Sequence, residues 1–362
     1  MLKGKTLHQL ALELDEQQKT KRDFLVDSPA ISMQARAQES GPHSYRLTLG
    51  KNGNSVNLGI NDLGHLQLAS KVGIPRKFYD HLRTDYPTLL AQTVTELSVG
   101  EPQKMLVRSL GGQARAFLSD RYRTIDNFDL LKAVLPSLTG LEKVGTELIV
   151  DSCEVTERRM YIKILFPQVQ GEIKVGDPVR AGLVLSNSEV GDGSLRVERL
   201  LEILRCLNGM VLPASLRKYH AGRRREFDEL DSAVEVYSDR TRQLDDMALF
   251  SKVTDVVKAA FNMEEFAKQI EAYKNSTQQE IKKDPVEFIE VTSKRYNLNS
   301  EEKNSTLKHF LTYGDMTQYG LMNALTSAAQ EEGTQYDRSI ELERLGAQVL
   351  DLTQDQWHEI AA

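Results

Sequence analysis

Residues 147–210 read ELIVDSCEVTERRMYIKILFPQVQGEIKVGDPVRAGLVLSNSEVGDGSLRVERLLEILRCLNGM, and this stretch decides the fold. From Leu195 to about Met210 the apolar residues share one stripe at roughly 100° per residue, which predicts an amphipathic helix packed on a sheet. Before that helix, apolar and β-branched runs predict three strands: Glu147–Cys153, Arg159–Phe166 and Val179–Leu185.

A helix containing Phe128, Leu131 and Val134 is predicted just before these strands. Together they form a helix–three strands–helix core. We therefore predict an α+β fold, in which a central antiparallel β-sheet is backed by helices and the C-terminal part is mostly helical. Glycine-containing turns add two hairpins, with these predicted strands: Tyr45–Gly50 and Ser55–Ile60, then Lys104–Ser109 and Ala114–Ser119.

The chain divides into four predicted regions. The polar stretch 274–304, rich in Lys, Glu, Gln and Asn, is interpreted as a loop or linker inside the last of them. The four regions are an N-terminal helix and loose arm at 1–40, a hairpin plus helices at 41–103, a basic α+β core at 104–226, and an acidic helical region at 227–362.

Charge is unevenly distributed along the 362 residues, whose formal net charge is −6. Residues 104–225 hold 20 basic and 14 acidic side chains, whereas residues 226–362 hold 14 basic and 27 acidic ones. A positive segment within an acidic chain is typical of proteins that hold an anion on one face. The leading candidate for that anion is single-stranded nucleic acid.

Composition limits the other classes of protein. No apolar run approaches the roughly 20 residues that a membrane helix needs, so no membrane partner is expected. The first residues alternate apolar and charged positions, unlike a signal peptide. Cys153 and Cys206 are the only cysteines, and both have apolar neighbours. These features favour a reduced, cytoplasmic protein with two buried thiols.

Arginines dominate the basic core, and guanidinium groups suit phosphates because their donors form a planar, permanently charged fork. Arg196 and Arg199 would lie one turn apart on the predicted helix. Aromatic rings such as Tyr122 could stack on bases. The candidate nucleic-acid-binding residues are Arg108, Arg115, Arg121, Tyr122, Arg123, Arg158, Arg159, Arg196, Arg199, Arg217, Lys218, Arg223, Arg224 and Arg225. An equally simple interpretation is a solvated charged surface, with the arginines paired to nearby carboxylates.

Signals for catalysis are sparse. The seven histidines show no metal-ligand spacing with each other or with cysteine, and no Gly-x4-Gly-Lys phosphate loop occurs. Asp151 followed by Glu172-Ile173-Lys174 is similar to the carboxylate–Glu-x-Lys arrangement of metal-dependent nucleases. That nuclease is kept as the enzymatic alternative. The main expectation is a protein without catalytic residues, metal or cofactor.

Several blocks resemble a widespread family of phage, prophage and plasmid proteins, over roughly residues 45–355. They include Val107-Arg108, the segment Arg115–Arg123 (RAFLSDRYR) and Gly193-Ser194-Leu195-Arg196-Val197. This family has no settled activity, so the resemblance implies a mobile-element origin and no particular function.

A more distant resemblance does imply a function. The order Tyr122-Arg123-Thr124-Ile125-Asp126-Asn127, helix, three strands, Gly193-Ser194 and helix is similar to the core of Erf and Rad-fifty-two type single-strand annealing proteins. Such proteins form rings or filaments that hold single-stranded DNA along a basic groove. Here Ser194-Leu195-Arg196-Val197-Glu198 replaces the small, alanine-rich run of that family.

These observations lead to the hypothesis of an ATP-independent protein that binds and anneals single-stranded DNA in recombination or replication, with RNA as the alternative ligand. A homo-oligomeric ring or filament is expected as its assembly, because repeated sites raise the effective concentration along a strand. The acidic region could compete with DNA for the groove. The non-enzymatic alternative is a host-interaction protein of a mobile element whose active surface is the acidic helical half.

Overall fold

The computed structural model describes residues 3–36, 43–50, 55–100, 102–143, 147–204, 208–220, 239–259 and 263–361. Two β-sheets and their covering helices make up this part of the chain, which confirms the α+β class. The strands are β1 Arg22–Asp27, β2 Ile31–Arg36, β3 Ser44–Leu49, β4 Val56–Ile60, β5 Lys104–Leu110, β6 Gln113–Ser119, β7 Ile149–Val155, β8 Met160–Lys174, β9 Asp177–Asn187, β10 Leu195–Ile203 and β11 Asn208–Lys218. The helices are α1 Leu7–Thr20, α2 Asp62–Lys71, α3 Arg76–Asp85, α4 Pro87–Gly100, α5 Asn127–Lys143, α6 Asp239–Ala259, α7 Met263–Ser276, α8 Pro285–Tyr296, α9 Ser300–Tyr313, α10 Gln318–Ala328, α11 Tyr336–Gln348 and α12 Gln354–Ala361.

The first sheet has six strands in the order β1-β5-β6-β4-β3-β2, and it is antiparallel except where β4 pairs with β6. Both predicted hairpins lie in it. Gly111 and Gly112 connect β5 to β6 at φ angles of 57° and 76°, a turn geometry that favours glycine. The Asn52-Gly53 turn of the other hairpin lies outside the described residues. The region 1–40, predicted as a helix and a loose arm, contains α1 and also contributes β1 and β2 to this sheet.

The second sheet is an antiparallel meander of five strands in the order β11-β10-β9-β8-β7. The predicted helix from Leu195 to Met210 is wrong, because Leu195–Ile203 form β10 and β11 begins at Asn208. Leu195, Val197 and Leu201 join the main core on one face, while Leu200 joins a smaller core on the other. Charged residues fill most alternate positions of β10, but Leu200 is apolar where the alternation requires a polar residue, so the apolar spacing also fits a helix.

The C-terminal helices cover this second sheet. Helix α11 lies across the face that carries Leu200, and buried Lys163 on β8 pairs with Glu343 on α11 at 2.7 Å. The prediction of a linker at 274–304 is wrong, because α8 and the start of α9 occupy it. Helix α8 begins after the N-cap residue Asp284, and helix α9 begins after Asn299, which forms a capping box. Within the described residues, no helix has both the length and the apolar content needed to cross a bilayer.

A buried ionic network joins the two sheets, and we call it the Glu189 network. Glu189 follows β9, and its carboxylate contacts Arg115 of β6, Lys21 and the backbone N–H of Asn127. Its pKa is lowered: burial opposes ionisation, but Arg115 and Lys21 outweigh burial. The loop 188–194, between β9 and β10, thereby connects the meander to the first sheet.

Candidate nucleic-acid interface

Two of the predicted arginines belong to the interior. Arg108 of β5 is fully buried, donates to Asp23 at 2.9 Å and to Asp126 at 2.6 Å, and also reaches the carbonyl oxygen of Glu189. Arg115 is buried against Glu189 in the Glu189 network. A guanidinium buried against carboxylates cannot be reached by an external phosphate. Arg108 and Arg115 are therefore structural, and their assignment as binding residues is corrected.

The segment Arg121-Tyr122-Arg123 contributes less than predicted. Tyr122 stacks on His220 with ring centroids 5.2 Å apart and planes 4° apart, and its hydroxyl donates to the carbonyl oxygen of Ser188. Its ring is thus already in use and cannot serve as a base platform. Arg123 is held by acidic residues of α6. Arg121 is exposed and has no partner among the described residues.

Arg196 and Arg199 do not share a surface. They are three residues apart on β10, and alternate residues of a strand point to opposite faces. Arg199 lies on the main-core side beneath α7, where its Nε donates to the side-chain oxygen of Gln269 at 2.9 Å. Lys218 also lies on that side, because it pairs with Leu195 of the main core. Only Arg196 of the predicted helical pair faces α11.

Arg196 and Arg217 are directly opposite each other on β10 and β11. Nε of Arg196 is 3.1 Å from Oγ of Ser194, and Nε of Arg217 is 3.4 Å from the same oxygen. The guanidinium of Arg217 lies over the ring of Tyr219, 4.6 Å from its centroid, and that ring is 56% exposed. Two cations and an exposed aromatic ring therefore meet at one end of the sheet.

Three more arginines adjoin this pair. Arg158 and Arg159 occupy the β7–β8 turn, and both lie 3.4 Å from the carboxylate of Asp192. Gly193, with φ 145°, lets the Arg159 side chain lie close to the backbone, since a Cβ at this position would be 3.0 Å from Nε of Arg159. Arg344 of α11 binds Glu198 with two hydrogen bonds. We call the group the basic patch: Arg158, Arg159, Arg196, Arg217, Arg344 and Tyr219.

The cations of the basic patch affect the pKa of Arg196. Burial lowers the pKa of this guanidinium, and the neighbouring cations Arg344, Arg217 and Arg159 lower it further. Glu198, 3.6 Å from Arg196, raises the pKa, but by less than burial or Arg344 lowers it. Four of the five arginines thus pair with two carboxylates, those of Asp192 and Glu198, and within the described residues Arg217 pairs with none.

A cleft of 880 Å³ borders the basic patch on the side of Arg158 and Arg159. Its remaining charged lining is mostly acidic, and much of it is already paired: Arg338 with Glu302, for example, at 2.7 Å. A phosphate strand would be repelled there. The acidic lining is Asp192, Glu301, Glu302, Glu331, Glu332, Asp337 and Glu341.

The residues of the nuclease alternative are far apart. Asp151 lies opposite Lys163 and Ile164 on β8. Ile164 and Glu172 pair with Leu183 and Pro178 of β9, five residues apart, so the two carboxylates are separated by roughly 17 Å along the sheet at the usual rise. Lys174 pairs with Asp315 at 2.6 Å. Across the described part of the chain, no group of three or more His, Cys, Asp or Glu residues could hold a metal ion.

Sequence reasoning did not find every member of the basic patch. Arg344 lies in the acidic C-terminal region, and only the packing of α11 on the meander brings it to β10. The hydroxyl of Ser194 accepts hydrogen bonds from two of these arginines. Arg223, Arg224 and Arg225, three of the predicted binding residues, lie outside the described residues, as does Cys206. Cys153 is buried and free, as predicted.

Comparison with models of protein families, with curated proteins and with solved structures finds no significant match.

Proposed function

We propose that this protein binds single-stranded nucleic acid at the basic patch. The observation that carries the proposal is the pairing of Arg196 with Arg217 across adjacent strands. Like charges directly opposite each other destabilise a sheet, so such a pair is favourable mainly when an anion lies between the two guanidinium groups.

The protein itself places little negative charge between these two guanidinium groups. Ser194 offers a neutral hydroxyl, and Glu198 is engaged by Arg344. Within the described part of the chain, Arg217 forms no ion pair, and its side chain is exposed. A phosphate group would place two negative oxygens where Arg196 and Arg217 converge, and each charge-assisted hydrogen bond of this kind is stronger than a neutral one.

Tyr219 favours a single strand over a duplex. Its exposed ring already carries Arg217 on one face, and the rest of the ring is open to solvent. Bases of a single strand can stack on such a ring, whereas bases of a duplex are stacked on each other. The acidic cleft beside Arg158 limits the strand to the β11 side of the patch.

The proposal extends to annealing without ATP, cofactor or covalent chemistry. Guanidinium contacts to phosphates would leave the pairing edges of the bases accessible to a complementary strand. Assembly into a ring or filament remains part of the proposal, because a strand that spans several copies gains from repeated contacts.

A titration of a fluorescent mixed-sequence oligonucleotide at two salt concentrations tests the proposal. Wild type should bind, and its affinity should fall steeply with salt. Arg196→Ala/Arg217→Ala should reduce the slope of log K against log salt by about 1.4, because each phosphate contact on a single strand contributes about 0.7. Tyr219→Ala should weaken binding by about 1–3 kcal/mol, and Tyr219→Phe should retain it.

A matched control removes the same charge elsewhere. Arg76→Ala/Arg295→Ala deletes two arginines on α3 and α8, each in a surface ion pair. It should leave the salt slope unchanged. The proposal fails if wild type binds neither DNA nor RNA at low salt, or if the control lowers the slope as much as the patch variant does.

A further inference from the structure

Arg123 is occupied by two carboxylates of the acidic region. Its guanidinium donates to Asp246 at 2.6 and 3.2 Å and to Asp245 at 3.1 Å, both in the second turn of α6. The arrangement resembles the way a guanidinium fork grips a phosphate, with several donors on closely spaced anionic oxygens.

Arg123 adjoins the basic patch through the backbone. Its N–H donates to the carbonyl oxygen of His220 at 2.8 Å, and Nδ1 of His220 lies 3.1 Å from the carbonyl oxygen of Arg123. His220 follows Tyr219, whose ring carries Arg217. The segment that contains Arg121 and Arg123 is therefore joined to the end of β11, directly after Arg217 and Tyr219.

We infer that Arg123 is a further binding residue of this surface, and that Asp245 and Asp246 occupy it in place of phosphate until nucleic acid displaces them. The inference rests on the proposed function and deepens it: the acidic region would regulate access to the same binding surface. The site then has two parts, the basic patch, which is open, and Arg123, which is covered.

The contact is weak enough to be exchanged. The Asp245 side chain is 69% exposed and that of Asp246 is 36% exposed, so water screens both. Neighbouring Leu244 and Met247 are also mostly exposed, and α6 is anchored further along by Leu249, Val253 and Val257. The carboxylates can therefore rotate away while the helix stays in place.

The test compares oligonucleotide affinity in Asp245→Asn/Asp246→Asn and in wild type. The variant should bind about two- to fivefold more tightly, because an ion pair of this exposure is worth about 0.5–1 kcal/mol. Adding Arg123→Ala should abolish the gain, since the two asparagines act only by releasing that guanidinium. The matched control is Asp255→Asn, on the exposed side of the same helix and without an ion pair among the described residues.

Three outcomes distinguish the possibilities. Tighter binding by the double variant, absent from the control and lost with Arg123→Ala, supports the inference. Wild-type binding that the double variant does not improve, or that Asp255→Asn improves equally, overturns the inference and leaves the proposed function in place. Failure of wild type and of the double variant to bind any oligonucleotide overturns both.

Discussion

Arg196 on β10 and Arg217 on β11 lie directly opposite each other, and their guanidinium groups converge on the hydroxyl of Ser194. A sheet selected for stability alone would place a carboxylate at one of these positions, since opposite charges in cross-strand pairs contribute roughly 0.2–1 kcal/mol. The unfavourable pairing is therefore the feature of the meander that most requires a functional explanation.

Reversing the charge at Arg217 should increase stability and decrease oligonucleotide binding. Arg217→Glu should raise the free energy of unfolding by about 0.5 kcal/mol, because it replaces repulsion of Arg196 with attraction. The same change should abolish oligonucleotide binding. Urea denaturation followed by circular dichroism measures the first effect, and fluorescence anisotropy measures the second.

Lys218→Glu is the control for this prediction. Lys218 is the next residue of the same strand, equally exposed, but it pairs with Leu195 and does not oppose Arg196. The charge change is identical and no stabilisation is expected. A loss of stability in Arg217→Glu, or an equal gain in Lys218→Glu, would show that the Arg196–Arg217 repulsion is unimportant.

The Glu189 network predicts a large effect at a residue outside the patch. Glu189→Gln removes a carboxylate whose side chain is 1% exposed, which leaves Arg115 without its counter-charge and Lys21 with only Asp126, at 3.5 Å. Breaking one partner of a buried ion pair costs about 3–5 kcal/mol, so the midpoint of urea denaturation should fall sharply. Glu157→Gln, an exposed residue of the β7–β8 turn, should leave the midpoint unchanged. Equal midpoints in the two variants would contradict the role of Glu189.

His65 predicts a pH dependence of stability. Burial lowers the pKa of this histidine to about 3, and Nδ1 lies 2.8 Å from the hydroxyl of Tyr79. In the unfolded protein His65 is protonated as the pH falls below about 6.5, whereas in the folded protein it stays neutral until about pH 3. The contribution of His65 to the free energy of unfolding should be fully present above pH 6.5. It should decrease as the pH falls from 6.5 towards 3, by at most about 1.4 kcal/mol per pH unit.

The check on this prediction is His65→Gln, whose amide can still contact Tyr79 but does not titrate in this range. Urea denaturation at pH 7.0, 6.0 and 5.0 should show a steeper loss of stability in wild type than in the variant. Parallel pH profiles would mean that His65 is protonated in the folded protein.

Local patterns predicted much of the fold correctly. The hairpin of β5 and β6 follows from two glycines between alternating apolar runs, and α5 follows from its helical spacing. The error at Leu195 has a physical cause, because β10 is covered by the core on one side and by α11 on the other. Arg199 and Leu200 interrupt the alternation of apolar and charged residues along β10, so its apolar positions also fit the spacing of a helix.

The same error misplaced the candidate site. Residues three apart share a face on a helix but lie on opposite faces of a strand. Because this segment is the strand β10, Arg199 lies on the face opposite to Arg196. Arg108 could not be recognised as buried, since its counter-charges come from Asp23 and Asp126, which are distant in sequence.

The sequence by itself determined the α+β class, most of the elements and the concentration of arginine in the middle of the chain, because these depend on local spacing and composition. Only the tertiary structure decided which arginines neutralise buried carboxylates and which remain available. Ion pairing depends on which strands and helices become neighbours, as when α11 brings Arg344 to Glu198 and α6 brings Asp246 to Arg123. Those neighbours are set by packing over the whole chain, and local sequence does not encode it.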